Sequence, residues 1–514
     1  MTITGLIYKM GKVVRKLTTA ILIFLILNSS FLVLSTPKNY STRLNLASRL
    51  QKDQLISREK IQIQDNSNFQ GFPGSGTKED PYIISGFDIT APESEDYNLI
   101  DIQDTDVFFI IENNYLSGNN LNNGYGILLS GVINGLIRNN EIYNTTHGGL
   151  FIQYSQDVVV ENNLIADHQW AGLELFETNN IEIRNNIFNN NNAEGIASYF
   201  STENIILNNT LSFNIYNGIT IEFSDSHQIS GNKIFSNRLG GILLASAESN
   251  LIEFNIISDN PIGINLINLE LNGPAKDNVV VSNLINLNGE GILLEDGENN
   301  SISQNLIDEN QYDGIVMING RRNVISNNIV SRTIELQGFV STGASSDNII
   351  NCNLFSENNI YGVFIDANSE NELIKQNDFI DNFSIPQAHD SGLSNSFENN
   401  YWNDQDYQDQ NNDSINDNQY SIGGSTANVD FNPATNEHLV NDDLNICNLE
   451  EIGLPSEISI SPSQTALLTG VPLEPVLVLP IAEPFLLIFF GAASITIVII
   501  VFYLRKSNIH SNQE

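Results

Sequence analysis

The chain has 514 residues, 41% of them hydrophobic, with 22 Lys and Arg against 61 Asp and Glu and a formal charge of −39. That charge argues against nucleic acid or an anionic lipid face as the partner of the body, and it suits cations or a polar neutral surface such as glycan. Two cysteines, Cys352 and Cys447, exclude a disulfide framework as the source of the fold; they stand either as one pair pinning the C-terminal tail to the body or as two separate thiols.

Residues 1–35 open with Lys9, Lys12, Arg15 and Lys16 and continue as an apolar run from Leu17 to Ser35. A charged region followed by an apolar one reads as a signal peptide, with cleavage permitted after Ser35, or as an uncleaved signal anchor. Residues 36–70 are polar and irregular and read as a leader. The body follows, at 71–433.

Within the body, Gly126, Gly149, Gly172, Gly195, Gly218 and Gly241 stand 23 residues apart, and Gly263, Gly291, Gly314, Gly338 and Gly362 continue the series. A fixed period in this range means a solenoid. Each repeat holds short stretches of alternating apolar residues between Asn-rich turns, a strand pattern too short for helices. One residue after the glycine lie Ile127, Leu150, Leu173, Ile196 and Ile219; three after it lie Leu129, Ile152, Leu175, Ser198 and Ile221. Eleven after it lie Ile137, Val160, Ile183, Ile206 and Ile229. These columns are expected to face one interior, which no repeat can bury alone, so stacking is obligatory. Fourteen after the glycine come Asn140, Asn163, Asn186, Asn209 and Asn232, and a second set nineteen after it includes Asn214, Asn237 and Asn260. Stacked at about 4.8 Å, such asparagines bond amide to amide along the axis. The expected fold is all-β: a right-handed parallel β-helix of about twelve turns and roughly 55–60 Å.

The register G-I-x-L…N-N-x-I…N resembles the parallel β-helix repeat shared by NosD-type periplasmic proteins and by carbohydrate-binding proteins and sugar hydrolases. The similarity covers roughly Asp80 to Pro433. GSGTKEDPYIISGFDI from Gly74 and NNYWNDQDYQDQNNDSINDNQYSIGG from Asn399 look like the first and last segments of NosD-type archaeal surface proteins. The resemblance is specific for fold and weak for function, since one coil serves binders, lyases, hydrolases and maturation factors.

Function on such a rod sits on outward columns and on loops that break the period, such as residues 119–123 and the stretch from 270. Two and four residues after each glycine, side chains are expected to face out. Glu174, Phe176, Tyr199 and Glu222 stand there, with Tyr154, Phe200 and Phe223 one position further on and Trp170 just before a glycine. Aromatics beside carboxylates resemble a sugar-binding strip, because apolar sugar faces pack on rings while carboxylates take hydroxyl hydrogen bonds. The alternative is an ordinary sheet surface, where aromatics are common anyway. Glu174 and Glu222 are two turns and two columns apart, roughly 12 Å, whereas paired-carboxylate hydrolysis needs about 5–9.5 Å. No catalytic residue is assigned on that ground. Arg138, Glu161 and Arg184, twelve after successive glycines, read as a surface ion ladder.

Asp409, Asn411, Asp413, Ile415 and Asp417 present D-x-N-x-D-x-I-x-D, the alternation of oxygen ligands and one backbone carbonyl that Ca²⁺ asks of a short loop. Ser414 replaces the usual glycine at the sixth position, and Tyr420 stands where a glutamate would close the loop. The NosD resemblance also implies copper, yet the histidines are scattered and the soft ligands few. His147, His168 and His227 fall in different columns and read as exposed corners.

Residues 434–484, with Pro455, Pro462, Pro472, Pro475, Pro480 and Pro484, read as an extracellular stalk. Phe485 to Leu504 is twenty residues without a charge, enough to span a bilayer as a C-terminal helix. Arg505 and Lys506 place the tail, 505–514, in the cytoplasm and the body outside. The sequence thus describes a membrane-anchored extracellular rod that binds glycan or another surface component without catalysis. The alternatives are a polysaccharide lyase or glycoside hydrolase of the β-helix class, and a structural spacer or adhesin.

Overall fold

A repeat with three short apolar stretches must fold into one turn of three strands, each stretch pairing with its copy in the next turn. The protein, described here as a computed structural model covering residues 50–91, 98–118, 124–269 and 273–438, does this throughout. In one repeat the strands are Gly148–Gln153, Val159–Glu161 and Leu164–Ala166; in the next they are Leu173–Phe176, Glu182–Arg184 and Ile187–Asn189. Leu150 pairs with Leu173, Val160 with Ile183 and Ile165 with Phe188, all in parallel register. Three sheets result, of 14, 16 and 15 strands, called here the glycine, middle and closing sheets. The solenoid is a right-handed parallel β-helix of about 13 turns.

The apolar segments 17–35 and 485–504, the leader up to residue 49, the stalk beyond residue 438, the loop 119–123, residues 270–272 and Cys447 lie outside the described residues. No helix among the described residues is long and apolar enough to cross a membrane. The parallel pairing takes in part of the stretch read as a leader, because Ile61–Ile63 pairs with Ile100–Ile102 and both isoleucines are buried. Cys352 is disulfide-bonded.

The expected inward columns are inward. Ile127, Leu150 and Leu173, like Leu129, Ile152 and Leu175, are fully buried, as are Ile137, Val160 and Ile183 of the middle sheet. A fourth column, sixteen after the glycine, closes the core with Ile142, Ile165, Phe188, Leu211 and Ile234. It also explains the glycines. A Cβ on Gly172 would stand 2.7 Å from the Phe188 ring and 2.7 Å from the Gly195 carbonyl oxygen, so the corner has no room for a side chain.

Asparagine recurs in pairs for two different reasons. Asn139, Asn162, Asn185 and Asn208 take positive φ, the left-handed conformation the turn needs and asparagine tolerates. Their neighbours Asn140, Asn163, Asn186 and Asn209 are buried and form the ladder. The Asn232 Oδ1 accepts both the backbone N–H of Asn209 at 2.9 Å and its side-chain amide at 3.1 Å, while the Asn232 amide donates to Asn255 at 3.0 Å and to the Ile206 carbonyl at 2.9 Å. The chain of bonds runs to Asn400 and ends on Asp430, which also accepts from the Trp402 indole. Trp402 is stacked between Phe379 and Tyr420, each at 4.1 Å, and seals the C-terminal end of the core.

Two further ladders run beside the first. One carries Asn191, Asn214, Asn237 and Asn260; the other carries Asn204, Asn250, Asn278 and Asn300. His168 and His227, expected at exposed corners, are buried in these two columns. Each replaces an asparagine because imidazole, like an amide, offers a donor and an acceptor on opposite sides.

Asn232→Ala should strand two donors of Asn209 and one carbonyl, costing about 2–4 kcal/mol. Hydrogen exchange read at the Asn209 amide should accelerate strongly, with much smaller changes several turns away; uniform acceleration along the rod would argue against a local ladder.

Candidate functional site

On the outer face of the glycine sheet, residues two and four after each glycine point away from the core, and the column just before the glycine opens onto the same face at the corner. Glu174, Tyr199 and Glu222 come from the first two columns, in three successive turns. In register, Glu174 is followed by Ala197 and Thr220, and Phe176 by Tyr199 and Glu222. Ala197 contributes only a methyl group and is covered by its larger neighbours. From the corner column come Tyr125 and Glu194.

The structure brings these together. The Tyr125 hydroxyl donates to Glu174 Oε2 at 3.3 Å across an intervening turn, which it can cross because that turn carries Gly148 in the same column. Tyr125 is stacked on Phe151 at 5.0 Å on the way. The Trp170 indole is a second hydrogen-bonding partner of Glu174. Glu194 is 5% exposed and lies within the fields of both Glu174 and Glu222, and Tyr199 and Tyr216 face it. Phe176 stands at the margin, in a ring ladder with Tyr154, Phe200 and Phe223.

Burial raises all three carboxyls. Glu174 is pushed up to about 7, less than burial alone would give, because Tyr125 and Trp170 hydrogen-bond its charged form. Glu222 is pushed up to about 7 by burial. Glu194 is pushed up to about 8, first by burial and then by the like charges of Glu174 and Glu222. Near neutral pH the cluster therefore holds both protonated and ionised acids, the condition for a group that gives a proton beside one that takes it. Glu194 is the residue that sequence reading passed over. It lies within the fields of the two glutamates whose separation had ruled out a joint role, and its only signal was its place immediately before Gly195.

The middle sheet is electrically different. Arg138 pairs with Glu112 at 2.7 Å, and Arg184 pairs with Glu161 at 2.6 Å, so acids there meet arginine one turn away.

At the exit loop, the Asp409 carboxylate accepts the N–H groups of Asp413 at 3.2 Å and Ser414 at 3.1 Å, and Asp413 accepts that of Ile415 at 2.9 Å. Ser414 takes a φ of 66°, the left-handed conformation for which glycine is usual at that position. Asn411 donates to Asp413, and Asp417 accepts from Gln410. Tyr420 is turned inward against Trp402, away from the loop.

The family model described as periplasmic copper-binding protein (NosD) matches residues 112–273 and 271–436. No curated protein matches the chain. Among solved structures, the A-module of mannuronan C-5 epimerase AlgE6 from Azotobacter vinelandii is similar at 13% identity and a TM-score of 0.44, over 66% of this chain and 98% of that one. A double mutant of the periplasmic alginate epimerase AlgG is similar at 14% identity and 0.41, over 66% and 85%. Tailspike protein 3 of bacteriophage CBA120 is similar at 11% identity and 0.34, over 72% and 58%.

Copper asks for imidazole or soft sulfur donors within reach of one another. His168 is tied to Thr145 at 2.5 Å and to the Ile142 carbonyl at 3.1 Å; His227 is tied to Ser198 at 2.9 Å and to the Asp225 carbonyl at 3.0 Å. His389 is stacked on Phe364, Met317 lies in the core, and Cys352 is disulfide-bonded. Among the described residues no three His, Cys, Asp or Glu gather as metal ligands. These residues do not fit copper.

The raised carboxyls carry a stability signature. The contribution of Glu194 is present in full below its unfolded value of 4.5 and is lost as pH climbs to about 8, because the unfolded chain ionises first. Glu194→Gln removes this loss, so the variant should be more stable than the parent at pH 8.5, by at most a few kcal/mol, and nearly equal to it at pH 4.5. Thermal melts at the two pH values check it; a difference of the same size at both would mean that Glu194 is not held protonated.

Proposed function

Because this chain belongs to the NosD family of parallel β-helix proteins, a membership that fixes the fold and leaves the ligand open, we propose that the rod is a membrane-tethered surface protein that binds glycan on its glycine sheet. The observation that carries the reading is the cluster of Glu174, Glu194 and Glu222 among Tyr125, Trp170, Tyr199 and Tyr216. Rings offer flat apolar surfaces to sugar faces, and the carboxyls accept from hydroxyls or, when protonated, donate to ring oxygens. Phe176 and the ring ladder beside it extend the same surface by several turns. The tether rests on the uncharged run Phe485–Leu504 with Arg505 and Lys506 behind it, which would hold the rod outside the cell.

A second reading, hydrolysis of a glycosidic bond, is favoured by one specific observation, the coupling of Glu194 to two other acids. A protonated Glu194 would give its proton to the leaving oxygen as the glycosidic bond breaks, while ionised Glu174 or Glu222 either took a proton from the water attacking the anomeric carbon or attacked that carbon itself, forming a glycosyl ester that water then hydrolyses.

The exit loop is proposed as a separate Ca²⁺ site in which the ion would draw together Asp409, Asn411, Asp413, the Ile415 carbonyl and Asp417, whose three carboxylates are not gathered without it. Its support is the turn at Ser414, which already has the conformation such a loop requires.

A glycan array probed with the full chain should give a defined set of ligands, and Tyr199→Ala with Trp170→Ala should lower their affinity by about tenfold or more, as loss of stacked rings does. An empty array sinks the binding reading. Reducing-sugar release that disappears in Glu194→Gln would install hydrolysis in its place. Millimolar Ca²⁺ should raise the melting temperature relative to chelator, and Asp413→Ala should abolish the rise; no difference in the parent chain removes the site.

A further inference from the structure

Two acids of the glycine-sheet cluster, Glu194 and Glu222, lack the bonds from other residues that further deeply buried acids of the rod have. Glu141 accepts the Leu50 N–H, Glu290 that of Asp313, and Asp313 that of Gln337, while Glu372 takes Asn348 and Ser341 and Asp430 takes Asn400. Glu222 is 8% exposed, and no group among the described residues hydrogen-bonds to its carboxylate. Glu194 has only its own backbone N–H. The ion pairs of the described residues lie elsewhere, and the charges that act on Glu194 and Tyr199 are those of glutamates and a tyrosine, with no cation among them. Three acids on successive turns thus act on one another with no positive partner, one of them over nine-tenths buried and unbonded. A buried charge is tolerated when it is paired, so the arrangement points outward for its counter-charge.

We propose that the cluster recognises a protonated amine on the glycan, that is, an amino sugar whose amino group is free, rather than a neutral or uronic-acid chain. This rests on the glycan reading above and narrows it. An ammonium group brings a positive charge and N–H donors on one centre to acids that act on one another with no cation among them. The rings of Tyr125, Trp170, Tyr199 and Tyr216 then supply both a cation–π environment and a platform for the sugar face. A uronic acid would bring a fourth carboxylate into a site with no cation, and an N-acetylated sugar would offer one weak donor in place of a charge.

The ligand charge has a consequence for protons. The titratable groups at the site are Glu174, Glu194, Glu222, Tyr125, Tyr199 and Tyr216, with His147 packed against the Tyr125 ring at 5.4 Å. In the free protein burial keeps the carboxyls partly protonated near neutrality, and a bound ammonium favours their ionised form, so binding must expel protons. Affinity should therefore rise from pH 5 to about pH 7.5 and fall again once the free amine itself loses its proton, near pH 8 for an amine of the α-amino kind.

The test is calorimetry on the full chain at pH 7 in two buffers of different ionisation enthalpy, with four probes: a fully deacetylated glucosamine oligomer, its N-acetylated form, an oligouronate and spermidine. The glucosamine oligomer is expected to bind with release of about one proton or more, and the N-acetylated form to bind about tenfold more weakly or worse. Glu222→Gln should lose about tenfold or more in affinity while melting like the parent at pH 5. Should that variant fail to fold, Glu194→Gln and the proton count in the parent chain decide the matter. Binding of the N-acetylated oligomer or the oligouronate as tightly as the amine overturns the amine inference and leaves the glycan reading standing. Spermidine binding without any sugar upholds the amine and overturns the glycan. If none of the four binds, both fall.

Discussion

Everything in this rod depends on one spacing. Successive turns are about 4.8 Å apart, so each side chain has its counterpart from the next turn directly beside it. An amide can be repeated in that way without limit, because its donor and acceptor lie on opposite ends. Each ladder asparagine accepts two N–H groups from one neighbouring turn and donates to the other, and no buried donor is left over along most of the column. A carboxylate has acceptors only and cannot continue such a series. Asp430 therefore ends the longest ladder. Glu372, which interrupts another, is pushed up to about 7 by burial, and in its protonated form regains a donor for the oxygen that otherwise has no partner.

The same spacing decides where chemistry can lie. On an outward column every turn presents its residue at the same angle, so a cleft arises only where a column is broken. Gly148 and Ala197 are such breaks. Gly148 lets Tyr125 lie across a turn to reach Glu174, and Ala197 leaves a low floor between Glu174 and Thr220. The three acids come from three columns and three turns, which is how a periodic scaffold produces a non-periodic cluster. The scaffold around it is rigid, since each strand on both sides is held by parallel pairs and by ladders behind it.

The fold was legible in the sequence because its columns are counted from an unambiguous marker. Glycine recurs where a Cβ would strike the closing sheet, and once Gly149 and Gly172 are aligned, Leu150, Ile152 and Val160 fall into place against Leu173, Leu175 and Ile183. Half of the candidate site was legible for the same reason, since alternation from the glycine turns Glu174, Tyr199 and Glu222 outward. Glu194 was not. It precedes the glycine, at a corner where the period of two is interrupted, and alternation says nothing there. His168 and His227 were misplaced for a related reason. Both sit in columns where asparagine recurs, nineteen and nine residues after a glycine, but imidazole is not an amide, and its equivalence in a ladder is a matter of donor and acceptor geometry that residue type conceals. Nor could sequence say that Tyr125 and Glu174, two turns apart, would touch; that depends on the absent side chain at Gly148.

The distribution of arginine gives the cluster its meaning. This protein does neutralise acids where it builds surface: on the middle sheet Arg138 meets Glu112, Arg184 meets Glu161 and Glu182, and further along Arg322 meets Glu298 and Arg332 meets Asp308. One substitution at any column of the glycine sheet would place a cation a single turn from Glu194 or Glu222, as happens elsewhere in the rod. The solution is available in the scaffold and is not used at Glu194 and Glu222, which are 5% and 8% exposed. Burial without pairing is a cost that folding alone gives no reason to keep, and on a frame this firmly held it can be kept without loss of the fold. Such a cost belongs to a group that finds its partner in something bound.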